Sequence, residues 1–371
     1  MKITDIQLRR LRVIEDVGTL VPAWPGAAMT FRRGGGAFVE ITTDDGLTGI
    51  GPGVDPGSIE AARSLLVGEN PFAIERHAER LPWFVRGRGY GGPAGYDIAL
   101  WDLIGKASGQ TLREILGGGD DHVVPYASLI VLSEPQERAS QAASLVADGW
   151  RAIKLRIHCD TIAEDIDLIS RVRDAVGPDI TLMADANQAQ SGHGWQPGVQ
   201  WDLQRALTTA RELEGLGVFW LEEPLPRHAF ADLARLNDKV NLRIAGGENN
   251  TGEHEFARML SDGVYDVVQP ESMVLGGLTP VRHVGELARS FDKLCVPHHG
   301  GGDIGVIAHL HFVAASANAP FMELLHDPPI GDYRHRFAMF ADPPTVADGI
   351  MRVPSGAGLG VEIDPALIEG G

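Results

Sequence analysis

The chain has 371 residues, 44% hydrophobic and 22% charged, the make-up of an ordinary globular protein long enough for roughly two to three domains. With 32 basic against 50 acidic side chains the formal net charge is −18, which argues against nucleic acid or an anionic membrane as partner, since both need basic patches. Cys159 and Cys295 are far apart and make no disulfide framework, and the sequence opens without a basic, apolar leader and holds no apolar run of about 18 residues, so it predicts a cytoplasmic protein.

Residues 3–13 read as a strand. Residues 14–36, rich in Gly and Pro and carrying Trp24, Arg32 and Arg33, read as a loop. Residues 37–43 and 47–51 flank Asp44-Asp45-Gly46 and predict a hairpin. Helical periodicity covers 58–67 and 71–82, and Ala94 to Ala107 has the pattern of a buried helix. Strands followed by helices make residues 1–120 an α+β unit ending at Gly117-Gly118-Gly119.

From Val123 the pattern becomes a strict alternation. Strand-like segments end near Val131, Arg156, Asn187, Pro224, Glu248, Glu271, His299 and Glu323, with helical patterns between them, at about 25 to 35 residues per unit. That repeat predicts an α/β fold, a modified (β/α)8 barrel over residues 121–325. A doubly wound open sheet is the rival, but it wants a Gly-rich phosphate loop after its first strand, and none is there. Residues 326–371 have weak periodicity and many prolines and are expected to return to the N-terminal capping unit, completing it.

The chemistry is concentrated at the predicted strand ends. Phe219-Trp220-Leu221-Glu222-Glu223-Pro224 is the pattern of a buried strand stopping at a site: apolar, then abruptly acidic, then a proline that cannot continue the ladder. The strand before it ends at Asp185-Ala-Asn187 and the one after it at Gly246-Gly-Glu248. Three carboxylates delivered at one end suit a hard divalent cation such as Mg2+ and would repel one another without it. The other tips carry Lys154-Leu-Arg156, Glu271, His298 with His299, and Glu323. A single acid at a strand end is more often a helix cap, and a lone lysine or histidine more often a solvated or structural group. Ionisable groups at nearly every tip of an apolar barrel make the joint functional reading the better one.

This set resembles the enolase superfamily, in its mandelate racemase-like branch, across essentially the whole chain. The resemblance rests on Lys154-x-Arg156, Asp185-x-Asn187, Glu222-Glu223-Pro224, Gly246-Gly247-Glu248, Gln269-Pro270-Glu271 with Gly276-Gly277, Pro297-His298, and Glu323. It implies a Mg2+ cofactor held by Asp185, Glu222 and Glu248, with Glu222 preferred to Glu223 because the first acid of the pair fills that role in the family. Pleat alternation likewise lets only one of the two point inward. It further implies a small-molecule carboxylate substrate and a homo-oligomer rather than a monomer.

The implied chemistry is removal of a proton next to a carboxylate, with the metal stabilising the resulting enediolate. Lys154 is expected to touch the substrate carboxylate, and Glu323, if protonated, to donate a hydrogen bond. Two departures matter. Relatives often carry Lys-x-Lys, whereas Arg156 is a poor base, and the histidine's usual Asp partner is Glu271. One base, His298, then suits syn dehydration of an acid sugar better than racemisation, with lactone cycloisomerase or epimerase chemistry as the alternative. Asn187, His158, His299, Trp24, Arg32 and Arg33 are the expected substrate-binding residues. Residues 190–201 are expected as a longer loop that covers the site or serves a subunit interface.

Overall fold

Residues 1–23, 28–85, 92–190 and 199–370 are described by the structure, a computed structural model. Eight parallel strands form one sheet in chain order: Pro125–Ser128, Ala152–Arg156, Thr181–Asp185, Val218–Glu222, Arg243–Gly246, Val267–Val268, Leu294–Cys295 and Met322–Leu325, the last paired back to the first. Among the described residues the seventh and eighth strands share no ladder. That seam is crossed by the Cys295 N–H donating to the Asn318 carbonyl at 2.9 Å. The fold is therefore the modified (β/α)8 barrel that the alternation implied.

The intervening helices start where the sequence supplies acceptors for their free N–H groups. Thr161 and Glu164 cap Ile162–Val176 reciprocally, and Asp202 caps Leu203–Gly215 through the Arg205 N–H at 2.8 Å.

Inside the barrel, Tyr126, Ala152, Met183, Trp220, Ala245, Val267 and Val296 pack as a cluster of their own. Two places after Tyr126, Ala152, Met183, Trp220, Val267 and Val296 come Ser128, Lys154, Asp185, Glu222, Gln269 and His298. The two-residue period of a strand puts each of these on the same inward face, directly above the apolar floor. The fifth strand breaks the pattern. After Ala245, Gly247 adopts φ +118°, which turns the chain so that Glu248, three places on, joins the ring.

The N-terminal unit packs a three-stranded antiparallel sheet (Ile3–Arg10, Ala37–Thr43, Thr48–Pro52) against the helix Ala94–Ser108. A Cβ on Gly51 would lie 1.9 Å from the Gly95 carbonyl oxygen, so this approach needs glycine. The helix is buried from Ala94 to Gly105, as a helix between two layers must be. On its barrel side, Asp97 accepts the Thr279 N–H at 3.0 Å and Oγ1 at 2.6 Å. Asp102 accepts the Ile50 N–H at 2.9 Å and the Leu359 N–H at 2.8 Å, and the Glu369 N–H reaches the Arg10 carbonyl at 2.9 Å. The C-terminal segment thus closes onto the N-terminal unit.

Residues 14–36 are not a loop throughout. Val13–Leu20 and Met29–Gly34 pair antiparallel as a two-stranded ribbon. Three glycines gather at its exit, Gly34, Gly35 and Gly36, where φ runs from +66° to +90°; apart from Gly18, at a register shift, the ribbon is rich in the β-branched and aromatic residues that favour strands.

Candidate active site

Lys154 is the hub of the strand-end ring. Fully buried, its Nζ lies 2.7 Å from Glu222 Oε1, 2.9 Å from Glu323 Oε1 and 3.6 Å from Asp185 Oδ2. Burial works against its charge, yet Glu222 and Glu323 hold its pKa above the ordinary lysine value. Arg156 is pinned from several sides. Its Nη1 pairs with Asp185 Oδ2, its Nε donates to the Leu129 carbonyl at 2.9 Å, and its Nη2 donates to Ser128 Oγ at 3.2 Å. It therefore stays charged: burial opposes this, but Asp185 and Glu222 more than compensate.

Glu222 points inward beside Trp220, whose Nε1 donates to Glu222 Oε2 at 3.1 Å, and Gln269 Nε2 donates to the same oxygen at 2.9 Å. Burial, with Asp185 and Glu323 nearby, pushes its carboxyl up to about 7 even against Lys154. Glu223 behaves differently from the pleat argument. Its φ of +46° takes it out of the strand, and its buried carboxyl feels Glu248 and Asp185 as well as Glu222. Burial and those like charges hold it well above the usual carboxylate range. Its left-handed backbone places Glu223 at the end of the strand, where its charge is felt by Tyr265 as well as by the acids.

Glu248 Oε2 lies 3.2 Å from His298 Nε2, and Glu271 Oε2 lies 2.8 Å from His298 Nδ1 while also accepting the Gly300 N–H at 3.0 Å. An ionised Glu271 can only accept, so Nδ1 carries the hydrogen and Nε2 is turned toward the acids. The extra methylene of Glu271 is absorbed because its other oxygen caps the short helix Ser272–Leu275 through the Met273 N–H at 3.0 Å. Burial would lower the His298 pKa, but Glu248, Glu323 and Glu271 raise it to about 10. Glu323 faces Lys154 across 2.9 Å. Burial opposes its charge, but Lys154 and His298 hold its carboxyl well below the usual range.

Asp185, Glu222 and Glu248 are hard oxygen donors brought to one rim by three adjacent strands, and the mutual repulsion of buried acids beside them is what a divalent cation relieves. The donor set fits Mg2+. Among the described residues, the group of three metal-ligating side chains whose donor atoms lie within 4.8 Å of one another is Glu271, His298 and His299 instead. Lys154 and Arg156 draw Asp185 and Glu222 toward themselves, so those carboxylates do not form the tightest trio.

The expected substrate-binding residues are divided. Asn187, buried at φ +50°, lies beside Arg156 Nη1, with its Oδ1 at 3.4 Å. The His299 ring packs 4.3 Å from that of His298, and burial and that neighbour lower its pKa to about 4. His158 is buried next to Ala23 at the end of the ribbon, where burial and Arg156 lower it to about 4. Arg32 and Arg33 do not face the ring. They stand exposed on the ribbon, Arg32 Nε 2.8 Å from Asp16 Oδ1 and Arg33 Nη1 3.5 Å from Glu15 Oε1. Trp24 lies outside the described residues, as does most of the 190–201 loop.

Residues 11–117 match the mandelate racemase/muconate lactonizing enzyme N-terminal domain, and residues 137–367 the enolase C-terminal domain-like family. The chain belongs to the mandelate racemase/muconate lactonizing enzyme family of the enolase superfamily. It is 31% identical to a D-galactarolactone cycloisomerase of Agrobacterium fabrum over 100% of this chain and 98% of that one. It is 29% identical to an arabinonate dehydratase of Saccharolobus solfataricus, covering 89% and 88%. Among solved structures it is similar to an L-talarate dehydratase from Polaromonas sp. JS666 complexed with Mg and L-glucarate, with TM-score 0.79, 26% identity and coverage of 99% and 97%. Enzymes of this family thus include both dehydratases and cycloisomerases. No helix of the described chain is long and apolar enough to cross a membrane.

Some members of this family site escaped the sequence reading. Trp220 and Ser128 were missed as partners of Glu222 and Arg156, although both lie on the inward face by strand period. His309, whose Nδ1 sits 2.6 Å from the His298 carbonyl, lies in a helix buried on all sides and left no periodic signal.

Proposed function

We propose that the chain is a Mg2+-dependent acid-sugar dehydratase that removes the proton α to a carboxylate and expels the β-hydroxyl from the same face. The observation that carries this reading is the pairing of one oriented imidazole with a fixed guanidinium: His298 is held by Glu271 at 2.8 Å, while Arg156 is locked onto Asp185, Ser128 and the Leu129 carbonyl. Such a site has a base on one side only.

His298 Nε2 takes the α-proton, and the C–H electron pair moves into the substrate carboxylate as an enediolate. The same nitrogen then returns the proton to the leaving hydroxyl, which departs as water and leaves an enol that tautomerises to a 2-keto-3-deoxy acid. Lys154 binds a substrate carboxylate oxygen and is kept charged by Glu222 and Glu323. Arg156 and Asn187 hold substrate oxygens, and Glu323 fixes Lys154 rather than donating a proton. Asp185, Glu222 and Glu248 would hold Mg2+, which when bound supplies positive charge against the enediolate oxygens and against the carboxylates beside His298.

The full-length similarity to a D-galactarolactone cycloisomerase favours a second reading, opening of a sugar-acid lactone after the same proton abstraction. Incubation with aldonic and aldaric acids and their lactones in D2O with Mg2+ separates the two. The dehydratase reading expects a product that forms a semicarbazone, with loss of water. A keto acid formed from the lactone without loss of water, isomeric with it and carrying solvent deuterium, would replace that reading with the cycloisomerase.

A further inference from the structure

One buried carboxylate outside the strand-end ring has more partners than a structural cap needs. Asp327, 6% exposed, follows the eighth barrel strand. Its Oδ2 accepts the N–H groups of Ile130 at 2.9 Å and Val131 at 3.0 Å, in the loop after the first strand. Its Oδ1 accepts Gln141 Nε2 at 2.7 Å and pairs with the buried Arg138 guanidinium at 3.2 Å. Both cations and amides converge on one side chain, so the loop 129–131 has little freedom of its own.

The carbonyls of that loop face two other places. Leu129 O accepts Arg156 Nε at 2.9 Å, inside the candidate site. Ile130 O accepts the Ala23 N–H at 2.7 Å, at the end of the capping ribbon. The ribbon leans on the same post-strand segment: a Cβ on Gly18 would meet Ile330 Cδ1 at 3.1 Å, and one on Gly331 would meet Leu20 Cδ1 at 3.2 Å. Asp327 is thus one short step from both the capping unit and the site's arginine.

We propose that Asp327 is a positioning residue that couples the docking of the capping segment at Ala23 to the orientation of the Arg156 guanidinium, through the loop 129–131. This rests on the reading that Arg156 and the acid ring form the substrate site. When the loop is held, a capping segment seated on Ile130 O and an arginine aimed at a substrate oxygen are two ends of one rigid piece. When it is not, each moves alone, and substrate binding weakens while the base His298, beyond the seventh strand, is untouched.

Hydrogen exchange on the intact protein tests the coupling without any substrate. In the wild-type chain the Ala23, Ile130 and Val131 amides should show one common opening free energy, because they open together. Asp327→Asn should speed all three by about tenfold or more. With an accepted substrate, the same variant should raise KM about tenfold while kcat stays within about threefold. Ala23→Pro removes the donor to Ile130 O alone. It should raise KM similarly, and the double variant should be no worse than the poorer single one. Faster exchange at Ile130 and Val131 with Ala23 unchanged would overturn the coupling, as would additive effects on KM. Should Asp327→Asn not fold, differing wild-type opening free energies for Ala23 and Ile130 would overturn it on their own. If no acid is turned over, the exchange results still stand, so failure of the dehydratase reading is told apart from failure of this one.

Discussion

The strand-end ring and the capping ribbon both carry charges at close spacing, yet they are built differently. In the ring, Lys154 is fully buried and shared by Glu222, Glu323 and Asp185 from three other strands. In the ribbon, Arg32 and Arg33 pair one to one with Asp16 and Glu15 on the facing strand, and all four side chains are more than half exposed. Exposed pairs are worth about 0–1 kcal/mol, because water and salt compete with them. Buried, shared charges cannot be removed singly without leaving an uncompensated neighbour. Charge spacing in a sequence does not distinguish the two cases. What distinguishes them is whether the strand underneath has one wet face or none.

This contrast can be broken or sharpened by substitution. The largest effect is expected at His298. His298→Asn should lower kcat by about 10²- to 10⁴-fold, the usual contribution of a positioned base, with thermal stability near wild type. Turnover close to wild type in a semicarbazide assay would remove His298 from the base role. Next comes Glu248→Gln, which should weaken Mg2+ binding by more than about 100-fold in a calorimetric titration, beyond what loss of an outer-shell partner does. Gln269→Leu touches Glu222 only through one hydrogen bond of 2.9 Å. It should weaken Mg2+ by about tenfold, at the low end of the range for outer partners, and an unchanged affinity would show that Glu222 needs no such support. The smallest effect belongs to the ribbon. Arg32→Ala and Arg33→Ala should each change kcat/KM by less than about twofold, and a tenfold rise in KM for either would place the ribbon arginines against the substrate after all.

Much of the ring was legible because it obeys a two-residue period. Lys154, Asp185, Glu222 and His298 each follow an inward apolar residue by two, and a β/α repeat says which end of the strand carries chemistry. The N-terminal unit was legible in part. The buried helix Ala94–Ser108 and the hairpin were clear from periodicity and the Asp-Gly turn, but the ribbon was obscured by its glycines, three of which sit at its exit at Gly34–Gly36. Where the sequence reading failed inside the site, the backbone leaves regular geometry. Glu223 leaves the strand through its own left-handed φ, and no period of two or 3.6 announces that. The ionised state of Glu323 likewise depends on how close Lys154 stands, which is a tertiary distance.

The seam in the barrel has a consequence of its own. Between most neighbouring strands the spacing of site groups is locked at about 4.8 Å by the ladder, and nothing short of breaking it can change that distance. His298 follows the seventh strand and Glu323 stands on the eighth, and these two strands share no such ladder. The helix Ile304–Ala315, buried on every side, connects these two strands. The gap between the base and the carboxylate opposite it is therefore set by packing, with this helix against the eighth strand and one hydrogen bond from Cys295 to Asn318, rather than by a ladder that fixes it.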